Sequence, residues 1–245
     1  ETPIVGGRSV LAGSEAHHLT HVMRAKPGTR VVLFDGCGSE FDAEVVQLGR
    51  SEIELEILSG REISRELPVQ MTLGVALPKG DRQRWLVEKA VELGIARIVP
   101  LTTGRSVAPP VRQALKRLQR TVIEASKQCG RNRLLEIAPP QEWPDYVAGS
   151  EAVSTRIVAH PHAEHPCAEH PSAKHPSASP PSERPDRLLD GVSRGPVMLA
   201  VGPEGGFTEA EISLALEAGW QTVDLGPRIL RVETAAILLA AMVTS

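Results

Sequence analysis

The chain has 245 residues, 41% of them hydrophobic and 23% charged, the balance of an ordinary soluble globular protein with one large or two modest domains. Its net charge of −3 and pI near 6.3 exclude a protein that coats nucleic acid indiscriminately, so a nucleic-acid ligand has to be met by a local basic patch. No apolar run reaches the ~20 residues of a membrane helix and no charged-then-apolar leader opens the chain, so no membrane partner is expected and the expected location is cytoplasmic. Glu1 in place of Met implies a processed or trimmed start. Cys37, Cys129 and Cys167 are far apart, odd in number and without a Cys-x-x-Cys pair, which argues against a disulfide framework or a zinc ribbon.

Residues 1–66 predict a small β-rich domain. Ser14 is placed to cap a short helix through Arg24, Pro27-Gly28 breaks it, and residues 31–34 form an apolar strand. Asp35-Gly36 begins a turn, residues 41–48 return, and residues 52–57 alternate acid with aliphatic so that Ile53, Leu55 and Ile57 face one way. His17 and His21 are spaced like a helical metal pair but lack a third ligand, and so read as surface residues or RNA contacts. A boundary falls at residues 61–68, where charge is dense and periodicity stops. The second domain, residues 67–245, opens with a strand-like run at 69–77 that ends in Pro78-Lys79-Gly80. A helix from Asp81 follows, with Trp85, Leu86, Ala90 and Leu93 at helical spacing and Trp85 expected in the core. Gly94 closes it before a strand at 95–101, the order of a parallel crossover. Lys79 and Arg82, at the strand's end, are candidate ligand contacts.

Residues 111–129 predict a basic helix. Between Arg105 and Arg133 eight basic residues face one acid, Glu124, a local charge of +7. Such a concentration is what phosphate binding needs, although a solvated helix face has the same composition. Strands are expected at 134–137 and 155–158. Between them and the next strand, residues 160–186 repeat His-Pro with a period of five, a density of proline that forbids helix and sheet. Nothing in that repeat fixes a metal geometry, so no metal is expected there and expansion of a loop is the simpler account.

The most ordered pattern lies at residues 201–242. An apolar strand at 197–201 runs into Gly202-Pro203-Glu204-Gly205-Gly206, and Thr208 with Glu211 forms a capping box for a helix that Gly219 ends. A short strand at 222–225 runs into Gly226-Pro227-Arg228-Ile229-Leu230-Arg231, and the last helix has an apolar body at 235–243. Two glycine turns at the ends of neighbouring strands let backbone approach a ligand, at the edge where open α/β sheets bind ligands. Glu204, Arg228, Arg231 and Glu233 put ionic groups into turns that need none structurally. No phosphate loop or Gly-x-Gly-x-x-Gly follows a strand, which weakens nucleotide and dinucleotide readings.

The two turns, read as Gly202-Pro203-Glu204-Gly205-Gly206 and Leu225-Gly226-Pro227-Arg228-Ile229-Leu230-Arg231-Val232-Glu233-Thr234-Ala235, resemble the signature of the RsmE family of ribosomal RNA methyltransferases. His18-Leu19 with Val22-Met23-Arg24, the Phe34-Asp35-Gly36 turn, Thr103 with Arg105-Ser106-Val107, and Glu124-Ala125-Ser126 with Gln128-Cys129-Gly130-Arg131 extend the likeness over most of the chain. Lys127 departs from it, standing where a second Glu is expected, and the His-Pro stretch is peculiar to this sequence.

The resemblance implies an α/β fold of the SPOUT type, a parallel sheet with a C-terminal trefoil knot, preceded by a PUA-like β-barrel. It implies S-adenosylmethionine as cofactor, a 16S ribosomal RNA or small-subunit partner, a homodimer, and methylation at N3 of one uridine. The cofactor would be held by Leu77, His160, Gly202, Pro203, Glu204, Gly205, Gly206, Leu225, Gly226, Arg228, Ile229, Leu230, Arg231, Glu233 and Thr234. Arg228 or Arg231 can stabilise a uracil anion and Glu204 or Glu233 can orient the arginine or take the proton. RNA would be met by Arg24, Lys26, Lys79, Arg82, Arg105, Lys116, Arg120, Lys127, Gln128 and Arg131. Two alternatives stay open: a ribose 2′-O-methyltransferase of the same class, and an RNA-binding protein without catalysis.

Overall fold

A computed structural model of the chain describes residues 7–106, 112–161 and 195–244. It divides into two compact units. The first runs to Glu66 and takes in Gly130–Leu134; the second comprises Leu67–Cys129 and the chain from Leu135 onward. The His-Pro repeats beyond Pro161, and Cys167 with them, lie outside the described residues.

In the first unit β1 (Arg8–Ala12), β2 (Arg30–Phe34), β3 (Ser39–Leu48) and β4 (Glu52–Glu62) form an antiparallel sheet in the order β1-β4-β3-β2. Alternation along β4 buries Ile53 and Leu55 against Ala43, Val45 and the helical segment's Ala16 and Leu19. That segment differs from expectation. It begins at Gly13, not behind a Ser14 cap, and after α1 (Gly13–His17) the turns widen into a π-helix, His18–Val22. It ends at Arg24, which takes the left-handed conformation with φ 52°. His17 and His21 are exposed and stack with ring centroids 4.2 Å apart.

The short stretch Gly130–Leu134 finishes this unit. The Leu134 amide donates to Gly36 O, and Asn132 Nδ2 lies 2.8 Å from Ile63 O and 3.1 Å from Gly38 O. Arg131 is buried and forms a fork with the Glu66 carboxylate, Nε to Oε1 at 2.8 Å. A boundary drawn at residue 66 alone therefore omits the strip that closes the unit's polar seam. Glu40, buried beside it, is held below the usual carboxylate range, chiefly by the Arg65 guanidinium that bonds it.

The second unit is a parallel sheet with helices. Its strands are β5 (Met71–Val75), β6 (Arg97–Thr102), β7 (Glu136–Ile137), β8 (Gln141–Glu142), β9 (Thr155–Ala159), β10 (Val197–Val201) and β11 (Gln221–Val223). The order is β11-β9-β10-β5-β6-β7 with β8 on β6, and every pairing is parallel. β10 is buried at all five positions, as its unbroken apolar run requires of a central parallel strand. The helices are α2 (Asp81–Glu92), α3 (Arg112–Cys129), α4 (Trp143–Ala148), α5 (Glu209–Glu217) and α6 (Val232–Thr244).

Under one part of the sheet Trp143 packs against Phe207 at 4.4 Å and Trp220 at 5.7 Å between ring centroids. Tyr146 donates to Leu199 O, and a Cβ at Gly74 would come within 2.6 Å of the Tyr146 ring, so β5 needs glycine at that position. Trp85 does not join this core: it is 43% exposed, because α2 turns Leu86, Val87, Ala90 and Val91 inward instead. α6 starts three residues before the apolar body expected for it and buries Val232, Ala235, Ala236, Leu239, Ala240 and Val243 in its own unit. Among the described residues no helix is long and apolar enough to cross a membrane.

Candidate active site at the carboxyl edge of the sheet

Parallel strands deliver their following loops to one edge. There β5 ends before Leu77, Lys79 and Arg82, β6 before residues 103–106, β9 before His160, β10 before the first glycine turn and β11 before the second. The topology thus gathers the segments named for the cofactor from far-apart stretches of sequence.

The first turn is shaped by its own glycine and by three outside braces. A Cβ on Gly202 would lie 3.0 Å from the Phe207 ring and 3.2 Å from the Phe207 amide nitrogen, so the chain folds back on itself more tightly than a side chain allows. The Gly206 amide donates to Pro203 O at 2.8 Å to close the turn. Beyond it the capping box forms as expected: Glu211 N donates to Thr208 Oγ1 and Thr208 N to Glu211 Oε2 at 2.7 Å. The same carboxylate's Oε1 accepts from the Gly104 amide at 2.8 Å, and Arg105 Nη1 donates to Gly205 O at 2.6 Å. Both come from the loop after β6. The third brace is Arg82, whose Nη2 stands 3.4 Å from Glu204.

The second turn begins with Asp224 Oδ1 accepting from the Gly226 amide at 2.9 Å, and Gly226 takes a φ of 105° that L side chains rarely adopt. From there the chain is open to solvent: Arg228 and Arg231 are exposed, Ile229 is 80% exposed and Leu225 and Leu230 are half-buried. Glu233, in the first turn of α6, is buried, and among the described residues its Oε2 has no hydrogen-bond partner although Arg82 Nη1 is 3.8 Å away. His160 donates its amide to Val223 O, while its buried Nδ1 has no hydrogen bond among the described residues. Burial, with Arg105 adding to it and Asp224 opposing, holds the imidazole below its usual value and favours the neutral ring.

Two buried polar atoms without hydrogen-bond partners among the described residues, on the segments after β9 and β11, are what a site presents when its own groups are aimed at a ligand. Leu77, Leu225 and Leu230, half-buried in the loops at this edge, supply apolar surface. The set suits a cationic, adenosine-like molecule better than a nucleoside triphosphate.

The residues named for RNA separate into two groups. Lys116 and Arg120 stand exposed on α3, Lys79 and Gln128 are exposed, and Arg24 and Lys26 are exposed on the first unit. Arg131 must be withdrawn, because it is buried in its fork with Glu66. Lys127 pairs with Glu124 at 3.2 Å, and Arg82 and Arg105 are engaged with the first turn. Sequence reasoning missed the bracing role of Glu211 and the Asp224 cap on Gly226. An acid two residues before a glycine turn is a readable signal for the latter.

Residues 65–244 match the RNA methyltransferase domain family and residues 11–58 the RNA methyltransferase PUA domain family. The chain is 31% identical to the ribosomal RNA small subunit methyltransferase E of Synechocystis, over 99% of this chain and 74% of that one. A Legionella pneumophila methyltransferase solved with SAM bound superposes with a TM-score of 0.83 at 28% identity, covering 97% of this chain and 91% of that one. The Neisseria gonorrhoeae ribosomal RNA small subunit methyltransferase E, bound to S-adenosyl methionine, superposes at 0.75 with 33% identity, covering 99% and 92%. With more than half its length inside the domain match and a relative above 30% identity, the chain belongs to the RNA methyltransferase family of ribosomal RNA small subunit methyltransferase E.

Proposed function

We propose that the protein transfers a methyl group from S-adenosylmethionine to N3 of one uridine in 16S ribosomal RNA. The observation that carries this reading is the pair of glycine turns at one sheet edge, braced by Arg82, Arg105 and Glu211, with His160 Nδ1 and Glu233 Oε2 at the same edge buried and without hydrogen bonds among the described residues. The donor would be held by Leu77, His160, residues 202–206 and residues 225–234 except Pro227 and Val232. It supplies an electrophilic methyl group.

The chain's own groups must expose and prepare the acceptor. N3 of uracil carries a proton and is engaged in pairing, so the base has to be unpaired and the proton lost. Arg228 and Arg231, both exposed at the second turn, are placed to meet the negative charge that develops on the uracil oxygens. Glu204, exposed on the first turn, is the acid open to solvent for proton removal, whereas Glu233 is buried. The domain match at residues 11–58 and the exposed Arg24 and Lys26 support RNA contact by the first unit.

A homodimer and a C-terminal trefoil knot complete the reading. For the dimer, α2 and α6 pack on each other, yet each keeps a large apolar side chain in solvent, Trp85 at 43% and Leu238 at 38% exposed. Sedimentation of Trp85→Glu tests it, a dimer that survives unchanged counting against this face. The activity is tested by mass spectrometry of nucleosides from unmodified 16S RNA incubated with protein and donor. N3-methyluridine is expected; a methyl on ribose, or none, overturns the reading.

A further inference from the structure

Arg82 was expected among the RNA contacts, but its surroundings give it another task. It stands at the start of α2, and its guanidinium reaches an acid on each glycine-turn segment: Glu204 Oε1 at 3.4 Å and Glu233 Oε2 at 3.8 Å. The two acids are unlike. Glu204's side chain is 51% exposed, and Glu233's only 8%. A buried carboxylate is tolerated only with a compensating charge, and among the described residues Arg82 is the one basic group within 4.0 Å of Glu233.

We infer that Arg82 is a positioning residue for the methyl donor, tying the first glycine turn to the amino end of α6 so that the two turns stand at a fixed separation. This deepens the function proposed above and rests on it. The planar fork suits the task, because its nitrogens diverge toward acceptors on two different segments, which one ammonium point charge cannot match. Without the guanidinium, Glu204 and Glu233 lose their common counterion, Glu233 is left buried and uncompensated, and the turns separate. The donor then has to supply the ordering itself, and its affinity falls by the amount that ordering costs.

The test measures S-adenosylmethionine binding by calorimetry for the wild type, Arg82→Gln, Arg82→Lys and the double variant Arg82→Gln with Glu233→Gln. The same proteins are titrated with a 16S RNA fragment across a salt series. Donor affinity should fall about tenfold in Arg82→Gln, the middle of the range for coupled neighbours. It should recover only in part in Arg82→Lys, and only in part in the double variant, where the unpaired buried charge leaves with its partner but the tie to Glu204 stays broken. The RNA salt slope should stay at the wild-type value throughout.

Undiminished donor affinity in Arg82→Gln, or no recovery in the double variant, overturns the inference. So does a salt slope lower by ~0.7 to 0.9, which marks the loss of one phosphate contact. If Arg82→Gln does not fold, Arg82→Lys and Glu233→Gln with their own double variant decide by the same coupling. A wild type that does not bind the donor overturns the functional reading and this inference with it, whereas a binding wild type with an indifferent Arg82→Gln overturns the inference alone.

Discussion

Replacing Lys116 and Arg120 together by Ala should weaken RNA binding in a way whose salt dependence can be worked out from the structure. The basic stretch from Arg105 to Arg133 carries a charge of +7 in sequence, but not all of it is available. Arg131 is buried against Glu66, Arg105 holds Gly205 O, and Lys127 pairs with Glu124. Lys116 and Arg120 remain exposed one helical turn apart on α3 and share one face. Each phosphate contact contributes ~0.7 to 0.9 to the slope of log affinity against log salt, so removing both should flatten the slope by ~1.4 to 1.8. Over a fourfold rise in salt the wild type should therefore lose about tenfold more affinity than the variant. Fluorescence anisotropy of a labelled 16S fragment over a potassium chloride series measures this, with donor affinity by calorimetry as the control. A variant with the wild-type slope would falsify the assignment of α3 to the phosphate track and leave it a solvated face.

Asn132→Ala should destabilise the first unit by about 1 kcal/mol, because it removes the side-chain donor from the part-buried Ile63 O, while Gly38 O keeps the Ile63 amide; faster proteolysis confined to residues 7–66 is the readout. Glu211→Ala removes both the capping box and the bond to the Gly104 amide. A loss of about 1–2 kcal/mol in thermal unfolding is expected, along with weaker donor binding, since the first turn loses a brace. His160 is held below 6.5 by burial, so the folded protein binds fewer protons than the unfolded chain as pH falls through that value. Stability is therefore present above about pH 6.5 and lost below it. His160→Asn should flatten that part of the stability profile in denaturant melts, and an unchanged profile would show that the ring is not the group responsible.

The sequence by itself determined what depends on neighbours along the chain. Thr208 and Glu211 are three residues apart and cap their helix whatever lies around them, Gly94 and Gly219 end helices through their own φ, and the unbroken apolar run of β10 specifies a central strand. The two glycine turns were legible for the same reason, and their order in the chain, not any calculation of shape, carried the family resemblance. Helical spacing alone could not place Trp85, because a period of 3.6 residues marks which side chains share a stripe without saying where the buried stripe ends.

Only the tertiary structure decided how charges were used. Arg82, Arg105 and Arg131 look alike in sequence, and each was expected to meet phosphate. Folding brings Arg131 to Glu66 across 65 residues and Arg105 to Gly205 O across 100, and sets Arg82 between Glu204 and Glu233. A charge's partner is set by distance in space, and Coulomb attraction under burial depends on groups that the sequence keeps far apart. The same holds for Gly130–Leu134, which follows a helix of the second unit yet completes the first: the hydrogen bonds of Asn132 to Ile63 and Gly38 are formed by the fold, and no local pattern announces them.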